Sequence, residues 1–80
     1  MRFEWDSRKE ALNRAKHGVS FDEASTIFDN FEALIFDDPK HSIAERREII
    51  VGTSAAERIL IASFTARNEN IRIIKCTKSK

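Results

Sequence analysis

The sequence predicts an α+β domain: a short N-terminal strand, then two helices packed on one face of a mainly antiparallel sheet that ends in a three-stranded meander. Two observations predict it. Over 46–53, 58–66 and 71–77 the chain carries three runs rich in β-branched residues. They are separated by the polar tetrads Ser54-Ala55-Ala56-Glu57 and Arg67-Asn68-Glu69-Asn70, as strands joined by tight turns would be. Upstream, residues 6–29 carry two sets of helix start and stop signals.

Phe3-Glu4-Trp5 is a short alternating run that can lie as a strand with Phe3 and Trp5 on one side. Asp6 reads as an N-cap for a helix over 7–17, whose apolar stripe is Ala11, Leu12 and Ala15. Gly18 ends it, because glycine takes the left-handed conformation after a helix at least cost. Ser20-Phe21-Asp22-Glu23 has the spacing of a capping box, with Val19 and Ala24 placed as a hydrophobic staple. The second helix buries Phe21, Ala24, Ile27 and Phe28. A further strand is expected over 31–36, followed by the loop Asp37-Asp38-Pro39-Lys40-His41-Ser42.

If the two tetrads are even-length connections, Thr53 lies opposite Arg58 and Ala66 opposite Ile71. Alternation then gives a core face of Ile49, Val51, Leu60, Ala62, Phe64, Ile71 and Ile73, with Arg47 and Lys75 at its rim. The other face carries Arg46, Glu48, Ile50 and Gly52, then Ile59, Ile61, Ser63 and Thr65, then Arg72, Ile74, Cys76 and Lys78. This register aligns Arg46, Thr65 and Arg72 in one row. Two guanidinium groups flanking a hydroxyl form a fork suited to a phosphate, although a sheet face dotted with charges to discourage aggregation gives the same pattern.

Eighty residues make one domain, small enough that a partner covering part of the sheet is a physical expectation. A single cysteine rules out an internal disulfide and fits a reducing cytosol, and two histidines with one cysteine at wide spacing do not form a zinc motif. No apolar run approaches membrane length and the N-terminus lacks a signal-peptide core, so a soluble cytoplasmic protein is expected. Net charge is +1, but from residue 67 onward five cations face one anion, a local +4 against −3 for the rest. That asymmetry suits a polyanion such as RNA. RNA cleavage needs a base for the 2′-OH proton and a cation for the phosphorane. His41 or Glu45 can act as base, with Arg46, Arg67, Arg72 or Lys78 as electrophile.

Phe3-Glu4-Trp5-Asp6, Lys9, Asn13, Lys16-His17-Gly18-Val19-Ser20-Phe21, Glu23-Ala24, Phe28, His41, Glu45-Arg46, Gly52, Arg58 and Ile71-Arg72-Ile73-Ile74 together resemble the BrnT family of bacterial type II toxins. The resemblance implies a RelE-like fold and an endoribonuclease, without metal or cofactor, that inhibits translation. It also implies a BrnA-type antitoxin whose complex with the toxin binds operator DNA, and assembly as a homodimer or heterotetramer. On this reading Arg46, Arg72 and Thr65 are the first catalytic candidates, with His41 and Glu45 next; Arg67, Lys75 and Lys78 are expected to bind RNA. Thr77 stands where the family pattern has an arginine, which makes Lys78 the replacement candidate. A reading from another class is a non-catalytic module that docks the antitoxin through an apolar patch of Ile50, Ile59, Ile61 and Ile74.

Overall fold

The computed structural model describes residues 1–79, so Lys80 of the basic tail lies outside the described residues. The chain runs β1 (Arg2–Glu4), α1 (Ser7–His17), α2 (Phe21–Thr26), β2 (Leu34–Asp37), β3 (Glu48–Thr53), β4 (Ile59–Arg67) and β5 (Asn70–Lys78). Single 3₁₀ turns occupy Ile27–Asp29 and Pro39–His41. The five strands form one sheet in the order β1-β5-β4-β3-β2. β1 runs parallel to β5, and the remaining pairs are antiparallel. This is the expected α+β arrangement, two helices on a sheet that ends in a meander.

The helix boundaries follow their local chemistry. The Asp6 carboxylate accepts from the backbone N–H groups of Arg8 (2.8 Å) and Lys9 (3.1 Å), and Gly18 closes α1 at φ +69°. Ser20 Oγ accepts from the Glu23 N–H at 3.1 Å. The capping box is nevertheless half made, because the Glu23 carboxylate turns instead to Arg58 and Ser54.

The core lies between α2, the turn after it and one sheet face: Val19, Phe21, Ala24 and Ile27 against Ile50, Leu60, Ala62, Phe64, Ile73 and Cys76. Phe28 bridges Phe3 and Phe64, at ring-centroid distances of 5.2 and 5.0 Å, and so fastens β1 to the centre of the sheet.

Two features overturn the expected facing of β3 and of the end of β5. First, β3 pairs with β4 as Thr53↔Ile59 and Ile50↔Ala62, one residue away from the even-length register. The connection has three residues: the Ser54 N–H donates to the Arg58 carbonyl (2.8 Å) and the Glu57 N–H to the Ser54 carbonyl (2.9 Å). Glu57 takes φ +62° to close it, the left-handed position of a three-residue hairpin. A slip of one residue inverts a strand. Ile50 therefore enters the core and Arg47, Ile49 and Val51 pass to the opposite side. Gly52 faces the covered side, where an added Cβ would meet Ala33 Cβ at 2.9 Å.

Second, a β-bulge opens between Ser63 and Phe64, where Phe64 pairs Ile73 but Ser63 pairs Lys75, leaving Ile74 as the extra residue. Beyond the bulge the facing inverts. Cys76 becomes core and Lys75 moves to the open face beside Ser63. Lys78 goes to the helix side, with its Nζ within 3.4 Å of where a Cβ on Gly18 would stand.

α1 also departs from expectation. Its Ala11, Leu12 and Ala15 stripe is exposed, and the buried residue is Asn13. α1 borders the outer edge of β5, where β1 reaches only from Asn70 to Arg72. Past that point Asn13 takes the place of the missing strand: its Nδ2 donates to the Cys76 carbonyl (2.8 Å) and its Oδ1 accepts from the Cys76 N–H (3.1 Å).

The Glu23 cluster carries a prediction about acid stability. Glu23 accepts from Arg58 Nε at 2.9 Å and from Ser54 Oγ at 2.7 Å, and Arg58 above all holds its carboxyl below the ordinary value of 4.5. A depressed folded pKa supplies stability at pH values above the unfolded pKa, and that stability is lost as pH falls through the folded value. Melting temperature should therefore show no Glu23 contribution to its pH dependence above roughly pH 5.5 and fall below about pH 4.5. Glu23→Gln should lower stability at neutral pH and flatten the acid fall, measured by thermal melts across that window.

Candidate RNA-binding and cleavage site

The register correction separates the proposed Arg46–Thr65–Arg72 row. Thr65 and Arg72 do pair across β4 and β5. Arg46, however, binds Asp37 of β2, with its Nη2 2.6 Å from Oδ1, while Arg72 binds Glu4 of β1 at 3.1 Å. β1 and β2 are opposite edges of the sheet. Thr65 is 2% exposed and donates its hydroxyl to the Arg46 carbonyl at 2.7 Å. It therefore anchors the β2–β3 loop to the sheet, and no phosphate fork forms at this row.

The cations gather elsewhere on the open face. Asp38, His41, Arg47, Ser63 and Lys75 surround a hollow of about 270 Å³ over a floor of Ile49 and Ile74. A second hollow, about 280 Å³, shares His41 and Arg47 and adds Lys40, Ile43, Ala44 and Glu45. His41 and Arg47 thus stand between the two. The inversion of β3 delivers Arg47 and the bulge in β5 delivers Lys75.

The loop that holds His41 is tied internally. The Asp38 N–H donates to the Arg47 carbonyl at 3.0 Å, continuing the β2–β3 ladder by one rung. Ser42 Oγ donates to the Asp38 carbonyl (2.7 Å) and accepts from the Arg47 N–H (2.9 Å). Asp38 Oδ2 lies 2.9 Å from His41 Nδ1. When Nδ1 carries the proton, this pair leaves Nε2 as the basic nitrogen of an oriented imidazole.

Glu45 pairs with Arg67 at 3.0 Å, chiefly through that hydrogen bond, and Arg67 holds its carboxyl below the ordinary range, with Arg47 and Arg72 adding to the pull. Glu45 is thereby a weak base and a clamp on Arg67. Lys78, on the helix side near Gly18, is not part of this face. Cys76 offers no nucleophile, since burial pushes its thiol up to about 12. Among the described residues no group of three or more potential metal ligands comes together, and no helix is long and apolar enough to cross a membrane.

A family profile described as the ribonuclease toxin BrnT of type II toxin–antitoxin systems matches residues 5–80. The chain belongs to the BrnT family. Among solved structures, the crystal structure of the ribonuclease toxin BrnT from Brucella abortus matches all of this chain and 97% of its own, with TM-score 0.78 and 23% identity. That likeness bears on the fold. No curated protein matches the sequence significantly. Within this BrnT chain, Thr77, where the resemblance leads one to expect an arginine, pairs with Ile61 on the open face. Lys75, two residues earlier, faces the same side; Lys78 does not.

Sequence reading did not place Arg47, Ser42 and Asp38 in the site. Asp38 bonds to His41 and Ser42 to the Arg47 N–H, contacts that residue type alone does not signal. Arg47 was hidden by the parity of β3.

Proposed function

We propose that this BrnT chain is an endoribonuclease toxin whose open sheet face grips a single RNA strand and cuts it, thereby inhibiting translation. The observation that carries the reading is the Asp38–His41 pair set in one hollow with Arg47, Lys75 and Ser63. His41 takes the proton of a ribose 2′-OH. The 2′-oxygen attacks the adjacent phosphorus as the P–O5′ bond breaks, leaving a 2′,3′-cyclic phosphate and a 5′-hydroxyl protonated from water. Arg47 and Lys75 neutralise the charge that develops on the phosphoryl oxygens, and Lys75 takes the place of the family's arginine. Arg67 and Arg72 are each neutralised by a carboxylate, Glu45 and Glu4, so either would contact a phosphate only by exchanging that partner for it.

Purified protein incubated with messenger RNA should produce fragments with 5′-hydroxyl and 2′,3′-cyclic phosphate ends, read by end-specific ligation. Intact RNA would refute the enzyme reading. A second reading, docking of an antitoxin, rests on the β2 edge of the sheet, where Leu34 and Phe36 pair with Val51 and Ile49 and so border the open face. Edge strand β2 exposes Leu34, Ile35 and Phe36, and its outer side pairs with no other strand; Phe31 before it and Ile43 after it in the chain are exposed as well. Of the expected patch, Ile50 has been withdrawn into the core, whereas Ile59 is exposed and Ile61 and Ile74 are half-buried. We place the BrnA-type antitoxin at the β2 edge and propose that operator DNA is bound through the toxin–antitoxin complex.

A further inference from the structure

Ile74 and Lys75 line a third hollow as well. On the far side of β5, between the bulge and α1, a groove of about 300 Å³ is bounded by Lys9, Leu12, Lys16 and His17, together with Ile74 and Lys75. Lys9, Leu12 and Lys16 recur at i, i+3 and i+7, so they share one face of α1. Leu12 is 71% exposed although it is the largest apolar residue of the helix. The groove has an apolar floor of Leu12 and Ile74, cations along its walls and no carboxylate among its lining residues. Asn13, whose Nδ2 also reaches the Val19 carbonyl at 3.2 Å, holds this wall of the groove in place against β5.

We propose that the groove is a second RNA subsite. A single strand leaving the cleavage hollow crosses Lys75 and enters it, laying a base on Leu12 and Ile74 and backbone phosphates against Lys9 and Lys16. An exposed lysine-rich helix face is ordinarily only a solvated surface. Here the shared wall decides otherwise, because Ile74 and Lys75 make the groove continuous with the open-face hollow. The proposal rests on the ribonuclease reading for the identity of its ligand, and the BrnT chain would then select for strands long enough to span both hollows.

The test uses the full chain and a 2′-O-methyl RNA of about twelve nucleotides, which lacks the attacking hydroxyl and so reports binding alone. Lys9→Glu with Lys16→Glu should weaken this oligomer at least tenfold by fluorescence anisotropy. It should also reduce the salt slope by about 1.4, two phosphate contacts at roughly 0.7 each for a single strand. Arg8→Glu with Arg14→Glu makes the same charge change on α1 outside the groove and should leave the twelve-nucleotide binding within about twofold. Unchanged binding by the groove variant, an equal loss with the control pair, or no binding by the unaltered chain would each overturn the subsite. Groove-dependent binding without cleavage of unmodified RNA would instead count against the enzyme reading and leave the subsite standing.

Discussion

Replacing His41 by alanine should lower the rate of RNA cleavage by roughly two to four powers of ten, the range general base catalysis contributes. The side chain is largely exposed and its one side-chain partner among the described residues is Asp38, so thermal stability should barely change. Arg47→Ala should cost about two to three powers of ten, comparable to the loss of one preorganised group facing a developing oxyanion. Asp38→Asn should give a smaller loss, because the ring stays in place while the carboxylate that orients its tautomer is gone. Arg46→Ala separates this site from the row expected of an even-length hairpin: Arg46 is engaged by Asp37, and its removal should leave cleavage within a few fold. Initial rates on a fluorescent RNA, with melting curves for each variant, check all four. Full activity in His41→Ala would remove the base from the mechanism, and an inactive Arg46→Ala would restore the discarded row.

Much of the fold was legible because the signals were local. Asp6, Gly18 and Ser20 satisfy helix ends through bonds spanning two to four residues, and they set the helix boundaries where expected. The pairing of Ala66 with Ile71 and of Thr65 with Arg72 also followed from the short turn at Asn68, a residue that tolerates its φ of +55°.

The candidate site was illegible where parity was at stake. Glu57 closes the β3–β4 hairpin in a left-handed conformation usually left to glycine or asparagine, so nothing in the tetrad announced an odd connection. The run Ile49-Ile50-Val51 is apolar on both sides and could not arbitrate. One mark was present and unused: Gly52 in mid-strand signals close approach of another segment, which is Ala33 and Asn30 on the covered side, and Ile50 shares its face. The bulge at Ile74 has no comparable mark. Its effect was to exchange Cys76 and Lys75 between core and open face, and with them one of the two cations now assigned to the phosphate.

Asn13→Leu should be among the most damaging substitutions available outside the apolar core. Both backbone groups of Cys76 bond to Asn13, so they point to the outer edge of β5, where neither β4 nor β1 can reach them. Leucine keeps most of the volume but strands that N–H and carbonyl, and the Val19 carbonyl with them. At about 1–3 kcal/mol for each buried group left unsatisfied, the loss should be roughly 3 kcal/mol or more. For a domain of this size that lowers the melting temperature by about 12 °C or more, at 4–8 °C per kcal/mol. Asn13→Asp distinguishes the hydrogen bonds from mere shape. It retains an acceptor for the Cys76 N–H but sets a carboxylate against two carbonyls, so the folded state should raise its pKa and the variant should gain stability as pH falls through that raised value. The unaltered chain, with its depressed Glu23, gains nothing over that range and loses stability only at lower pH. Melts at pH 7 and pH 5 read the difference directly: an Asn13→Asp variant that loses stability on acidification, or an Asn13→Leu variant within a few degrees of the original, would show that the amide is not what holds α1 to the edge of the sheet.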